Sequence, residues 1–211
     1  MVGRVGEPGP SSLGPVTIPA LLLTGGASRR MGSPKALLDV DGLPLAVRSA
    51  RVLAAVCEPV IEVGPGYTDL TCVREEPIGD GPLAALVAGS AVAPAGVPII
   101  VVACDMPHLD PALLRILVEH PGDASVIPEA EGRLQTLCAR YGVDARMVAP
   151  GLLDAGERSL RALLTASRHE VLPETQWALA VGSDVFHDLD TPDDLATFRS
   201  RRSGVDDGFP G

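Results

Sequence analysis

Short unbroken apolar runs alternate along the chain with longer stretches in which apolar residues return every three or four positions. The runs at residues 18–23, 59–63, 98–103, 124–127, 134–141 and 169–172 predict strands. Ile99, Ile100, Val101 and Val102 show no polar alternation, which predicts a strand covered on both faces. Helical periodicity predicts helices at 43–56, 83–92, 111–119, 145–153, 159–167 and 192–201. Two of these carry a start signal, a capping oxygen before a first-turn proline, at Asp110-Pro111 and Thr191-Pro192. Strands alternating with helices predict an α/β chain: a three-layer α/β/α, Rossmann-like domain with a mostly parallel sheet. Residues 1–16 are rich in Gly, Pro and Ser and predict a disordered tail, residues 202–211 a second one, and residues 17–201 a single domain between them.

Composition sharpens this picture in three places. With 46% hydrophobic residues but only one Trp, two Tyr and three Phe in 211 residues, the core must be aliphatic. A formal net charge of −10 argues against nucleic acid as a partner, because a phosphate backbone demands a basic footprint. A small polyphosphate remains compatible, since local cations and a divalent ion can meet its charge. Cys57, Cys72, Cys104 and Cys138 are too far apart for a C-x-x-C pair, so neither a zinc site nor a disulfide frame is expected. The first thirty residues hold no signal-type apolar stretch and no segment approaches bilayer length, which predicts a soluble, cytoplasmic protein.

The candidate chemistry is concentrated where the first apolar run ends. Leu23, Thr24, Gly25 and Gly26 lead into Ala27-Ser28-Arg29-Arg30-Met31-Gly32-Ser33-Pro34-Lys35, a loop rich in glycines and cations. Glycines let backbone N–H groups turn toward a ligand, and the cations add long-range attraction, a combination suited to phosphate. Open α/β sheets bind ligands past the carboxyl ends of their strands, where this loop falls. It is not a Walker A loop, because Lys35 is followed by Ala36 and no hydroxyl stands ready for a metal. It is not the G-x-G-x-x-G dinucleotide fingerprint either. A second strand ends at Cys104-Asp105-Met106-Pro107, where Asp105 could hold magnesium together with substrate phosphates, or serve only as a turn residue.

The spacing Leu23-Thr24-Gly25-Gly26, Arg30-Met31-Gly32, Lys35 resembles the opening signature of the MobA-like nucleotidyltransferases that build molybdenum cofactor dinucleotides. Gly81-Pro82-Leu83-Ala84, Cys104-Asp105-Met106-Pro107, Gly156-Glu157-Arg158 and Asp190-Thr191-Pro192-Asp193-Asp194-Leu195 match in the same order, from residue 18 to residue 199. The resemblance implies the nucleotide-diphospho-sugar transferase type of fold and a guanylyltransferase: GMP passes from GTP to the terminal phosphate of molybdopterin, with Mg2+ as cofactor. GTP and molybdopterin would then be the small-molecule substrates, with transient contact to molybdoenzyme maturation proteins.

Under that resemblance Leu23, Thr24, Gly25, Gly26, Lys35, Glu76 and Asp105 bind GTP, and Lys35 and Arg30 neutralise its phosphates as catalytic cations beside Asp105. Asp105 and Asp190 (or Asp188) hold the metal, while Arg133, Gln135 and Arg158 face the acceptor. Thr24 stands where the family usually has alanine. Glu75 adjoins Glu76, and the register between them stays open. A cytidine-using relative carries alanine where this chain has Gly25, so that glycine favours GTP over CTP. The alternatives are a CTP-dependent molybdopterin cytidylyltransferase, a guanylyltransferase for another phosphorylated acid such as phospholactate, a sugar-phosphate nucleotidyltransferase and a non-catalytic carrier of nucleotide or cofactor.

Overall fold

The computed structural model describes residues 17–25 and 34–187. The tails, the 192–201 helix, Gly26, Arg30, Asp188 and Asp190 lie outside the described residues. The first apolar run forms β1 (Ala20–Leu23), fully buried along its length. A small hairpin follows, β2 (Asp39–Val40) and β3 (Leu43–Pro44), turned by Asp41 and Gly42 at φ of 56° and 78°. Two consecutive left-handed residues are what a tight two-residue hairpin requires. The hairpin takes the first two positions of the helix expected at 43–56, so α1 runs Leu45–Ala54.

The chain continues through β4 (Val60–Val63), β5 (Thr71–Val73), α2 (Pro82–Val92), β6 (Ile99–Ala103), α3 (Pro111–Glu119) and β7 (Ser125–Ala130). It then passes through β8 (Arg133–Leu134), β9 (Cys138–Tyr141), α4 (Val143–Asp154), α5 (Leu160–Ala166), β10 (His169–Leu172) and α6 (Ala178–Val181). Asp110 caps α3 as its sequence predicts, its Oδ1 accepting the N–H of Ala112 at 2.7 Å.

The main sheet has the order β10-β7-β9-β6-β1-β4-β5, with β8 paired to β7. β1 pairs in parallel with β4 on one side and β6 on the other. β9 runs antiparallel to both β6 and β7, so the sheet is mixed but mostly parallel. The single strand expected at 134–141 is therefore two: Gln135 donates its N–H to Pro128 O, and Cys138 donates to Gln135 O, bending the chain between β8 and β9. The apolar pattern could not show this, because a buried run carries no mark of its direction.

Alternate residues of the central strands feed two cores. Ala20, Leu22, Ile100 and Val102 pack with Leu53 of α1 and Leu113, Leu114 and Leu117 of α3. Leu21, Leu23, Ile99 and Val101 pack with Leu83 and Leu86 of α2, Ala145 and Ala149 of α4, and Leu163 of α5. Helices thus cover both faces, giving the three layers the continuous apolar runs imply. Trp177 closes the first core, fully buried, edge-on to Phe186 at 4.9 Å and donating to Glu129 O. It is a packing residue.

Candidate active site

β1 is the strand at which the connections diverge, β4 lying to one side and β6 to the other. Such a switch point leaves a crevice beyond the carboxyl ends of the strands. Three strand ends are stitched together there. Thr24 donates its N–H to Val63 O at 3.0 Å, and Cys104 donates its N–H to Leu23 O at 3.1 Å. The residues that follow, Gly25, Gly64 and Asp105, share this edge.

Lys35 opens a single 3-10 turn, and its side chain reaches to Asp105. Nζ lies 3.2 Å from Asp105 Oδ2, joining residues 70 positions apart in sequence. Both side chains keep partial exposure, 18% and 24%, so the pair is accessible to an arriving ligand. A compact ammonium beside a carboxylate can meet a polyphosphate and its divalent counter-ion at one point. Among the described residues no group of three or more His, Cys, Asp or Glu could hold a metal unaided. Magnesium commonly takes only one or two carboxylates from a protein and the rest of its ligands from substrate phosphates and water.

Of the adjacent acids at the other side of Gly25, Glu75 is buried and Glu76 is exposed. Glu75 Oε1 accepts the N–H of Gly79 at 3.0 Å and lies 3.6 Å from where a Cβ on Gly25 would stand. Glu75, rather than the Glu76 singled out by the resemblance, is the acid turned toward the glycine. α2 begins close by at Gly81, where the φ is 100° and an added Cβ would lie 3.2 Å from Arg158 O; both features suit glycine alone.

Arg158 belongs to the wall of this region. Its carbonyl accepts the N–H of Leu83, its Nε donates to Asp80 Oδ1 at 2.6 Å, and its Nη1 donates to the carbonyls of Leu153 and Glu157. Its fork therefore ties the turn before α2 to the joint between α4 and α5. Arg133 is exposed on β8, and Gln135 donates its side-chain amide to the Arg133 carbonyl at 3.3 Å. This bend flanks the carboxyl end of β6, where Ala103 donates its N–H to Leu137 O at 2.8 Å. The fold thus gathers Leu23, Thr24, Gly25, Lys35, Glu75 and Asp105 at the switch point, sets Arg133 and Gln135 along the same edge, and ties Arg158 through Nε and Nη1 to Asp80, Leu153 and Glu157.

Periodicity alone gave no warning of Glu62. This glutamate interrupts an apolar strand and is completely buried, yet its carboxylate accepts five hydrogen bonds. Thr24 Oγ1 (2.6 Å), Gly66 N (3.0 Å) and Tyr67 N (2.7 Å) donate to Oε1; Thr68 N (2.9 Å) and Thr68 Oγ1 (2.6 Å) donate to Oε2. Burial pushes the carboxyl's pKa up, but the donors from Thr24, Thr68 and Tyr67 together outweigh it, and the pKa falls below its ordinary value. The one available signal was a lone acid in Val60-Ile61-Glu62-Val63 beside a lone hydroxyl at the end of Leu21-Leu22-Leu23-Thr24. Cys104, next to Asp105, is no nucleophile: burial foremost, then the Asp105 charge, pushes its thiol up to about 12.

A mostly parallel sheet with a lysine–carboxylate pair at its switch point suits a phosphate-bearing ligand, and comparison with known proteins supplies the class. The family model for the MobA-like NTP transferase domain matches residues 20–175. A probable molybdenum cofactor guanylyltransferase of Mycobacterium tuberculosis is 36% identical over 170 residues, covering 74% of this chain and 85% of that protein. One from Opitutus terrae is 36% identical over 176 residues, covering 75% and 87%. Among solved structures, molybdopterin-guanine dinucleotide biosynthesis protein A of Archaeoglobus fulgidus superposes with a TM-score of 0.75 at 20% identity, covering 89% of this chain and all of that one. The 2-C-methyl-D-erythritol 4-phosphate cytidylyltransferase of Thermus thermophilus shares the fold with a TM-score of 0.63 at 15% identity, covering 89% of this chain and all of that one. The chain belongs to the MobA-like NTP transferase family and is a nucleotidyltransferase. Among the described residues no helix is long and apolar enough to cross a membrane.

Proposed function

We propose that the protein transfers GMP from GTP to the terminal phosphate of molybdopterin, forming the guanine dinucleotide cofactor and diphosphate. The observation that carries this reading is the Lys35–Asp105 pair at the end of two adjacent central strands, beside a glycine faced by the buried Glu75. The relatives named for this activity support the choice of substrates.

An acceptor phosphate oxygen attacks the α-phosphorus of GTP, a new P–O bond forms, and the bond to the β-phosphate oxygen breaks. A phosphate monoester is largely ionised near neutral pH, so no side chain need remove a proton. Catalysis then rests on alignment and on neutralising the charge that moves onto the diphosphate. Lys35 performs the second task, with Arg30 as its proposed companion. The residues fit a magnesium ion on Asp105, with Asp190 proposed as a second ligand; when bound, the ion would supply further charge neutralisation at the phosphates. Gly25 lets the nucleoside approach the backbone, and the Glu75 carboxylate can accept from guanine N–H groups or ribose hydroxyls. Arg133 and Gln135 line the edge proposed for the acceptor.

The test is to incubate the purified protein with magnesium, molybdopterin and either GTP or CTP, and to identify the product by mass. The guanine dinucleotide with released diphosphate is expected. Asp105→Ala should abolish diphosphate release while the thermal midpoint moves by no more than about 3 °C, because a partly exposed ion pair contributes little stability. Formation of the cytosine dinucleotide from CTP, or full turnover by Asp105→Ala, would overturn the reading.

A further inference from the structure

The buried carboxylate of Glu62 has no place in the chemistry just described, yet it is bonded to Thr24, the residue before Gly25. Glu62 is the register partner of Leu22 in β1 and of Cys72 in β5, well inside the sheet. A carboxylate in that position is tolerated only when its lone pairs are satisfied. Its donors come from two separate segments. Thr24 is the first residue beyond β1; Gly66, Tyr67 and Thr68 form the turn beyond β4. One carboxylate therefore ties the start of the glycine loop to the neighbouring turn.

The packing around this link is close. The Thr24 hydroxyl occupies the space that a side chain at Gly64 would need, and a Cβ on Gly64 would also stand 2.7 Å from Gly25 N. Thr24 is itself buried. Its hydroxyl is donated to Glu62 at 2.6 Å, inward from the crevice, which leaves the Gly25 backbone as the next group in the chain facing Glu75. The Thr24 side chain can move only if the buried hydrogen bond breaks.

The geometry points to Thr24 and Glu62 as a positioning pair, which sets the Gly25 backbone at a fixed height against Glu75 and so tunes how tightly the nucleoside of GTP is held. This rests on the guanylyltransferase reading above. Neither residue touches the reacting phosphates, so the pair should act on nucleotide binding more than on the chemical step.

Four proteins test it: the wild type, Thr24→Val, Thr24→Ser and Thr24→Ala, each assayed for KM and kcat with GTP and for amide hydrogen exchange at Gly25 and at residues 66–68. Thr24→Val keeps the shape and removes the donor. It should raise KM for GTP about tenfold with kcat changed less than threefold, and speed exchange at Gly25. Thr24→Ser, which keeps the hydroxyl, should restore KM to within about threefold of the wild type. Thr24→Ala removes the hydroxyl without setting a methyl against the carboxylate, and carries the same expectation if the valine protein fails to fold. Wild-type turnover with an unchanged KM in the valine or alanine protein overturns the pair alone, as does a raised KM that serine does not repair. No turnover of GTP by the wild type overturns the guanylyltransferase reading and this inference with it.

Discussion

Replacing Gly25 by alanine separates what the glycine does for the fold from what it does for a ligand. In the free protein an added Cβ would lie 3.6 Å from Glu75 Oε1 and 3.9 Å from Gly64 Cα, both ordinary van der Waals distances. Gly25 does not adopt the left-handed backbone that would strain an L side chain. The folded state should therefore accept Gly25→Ala without loss, and the stiffer unfolded chain could add about 0.4–1 kcal/mol of stability. The bound state differs, because the methyl would project from the backbone surface, beside Glu75 Oε1, that the proposed guanosine approaches. A misfit of one methyl group in a binding pocket costs about 1–3 kcal/mol, or roughly tenfold to two-hundredfold in kcat/KM. Steady-state kinetics with GTP and CTP, together with a thermal melt, measure both halves. Gly25→Ala should melt at or slightly above the wild-type temperature and lose at least about tenfold in kcat/KM for GTP, with a smaller loss for CTP. A variant that melts normally and uses GTP within about twofold of the wild type would refute the placement of the nucleoside against this backbone.

Three further outcomes concern stability. Arg140 is buried on β9 and donates to the carbonyls of Leu117, His120, Gly122 and Ala124, holding the end of α3 and the turn before β7; Arg140→Met should cost about 3–5 kcal/mol by urea unfolding. In α2, Gly89→Ala would set a methyl 2.5–2.6 Å from the two terminal carbons of buried Leu21 and 3.0 Å from Val63 Cγ2; overpacking should outweigh the gain in helix propensity and leave a net loss of about 1–2 kcal/mol. Because the Glu62 pKa lies below its ordinary value, its contribution is present above the unfolded-state carboxyl pKa and is lost as pH falls through the folded one. Urea midpoints measured on acidification should therefore fall, and Glu62→Gln should show a shallower fall over the same range.

Much of the candidate site was legible in the order of residues along the chain. Lys35 and Asp105 stood out because a cationic, glycine-rich loop and an acid each followed a buried strand, and strand ends are where α/β sheets bind ligands. The choice between Glu75 and Glu76 was not legible, since two adjacent acids in a loop differ only in which one the backbone turns inward. For Arg158, assigned to the acceptor side by resemblance, the sequence carried no sign of the bonds it makes to Asp80 and to the carbonyls of Leu153 and Glu157. β5 escaped notice because Thr71 and Cys72 are exposed on an edge strand and make no apolar run.

Sequence alone determined that apolar runs and amphipathic stretches would layer helices on both faces of a sheet, because burial of periodic apolar surface depends only on local order along the chain. Only the tertiary structure decided the antiparallel course of β9, the carboxylate that grips both Thr24 and Thr68, and the arginine that caps α3 from β9. Those features join segments far apart in the chain. Their energies depend on distance and direction between partners, quantities that exist only once the sheet has brought the strands together.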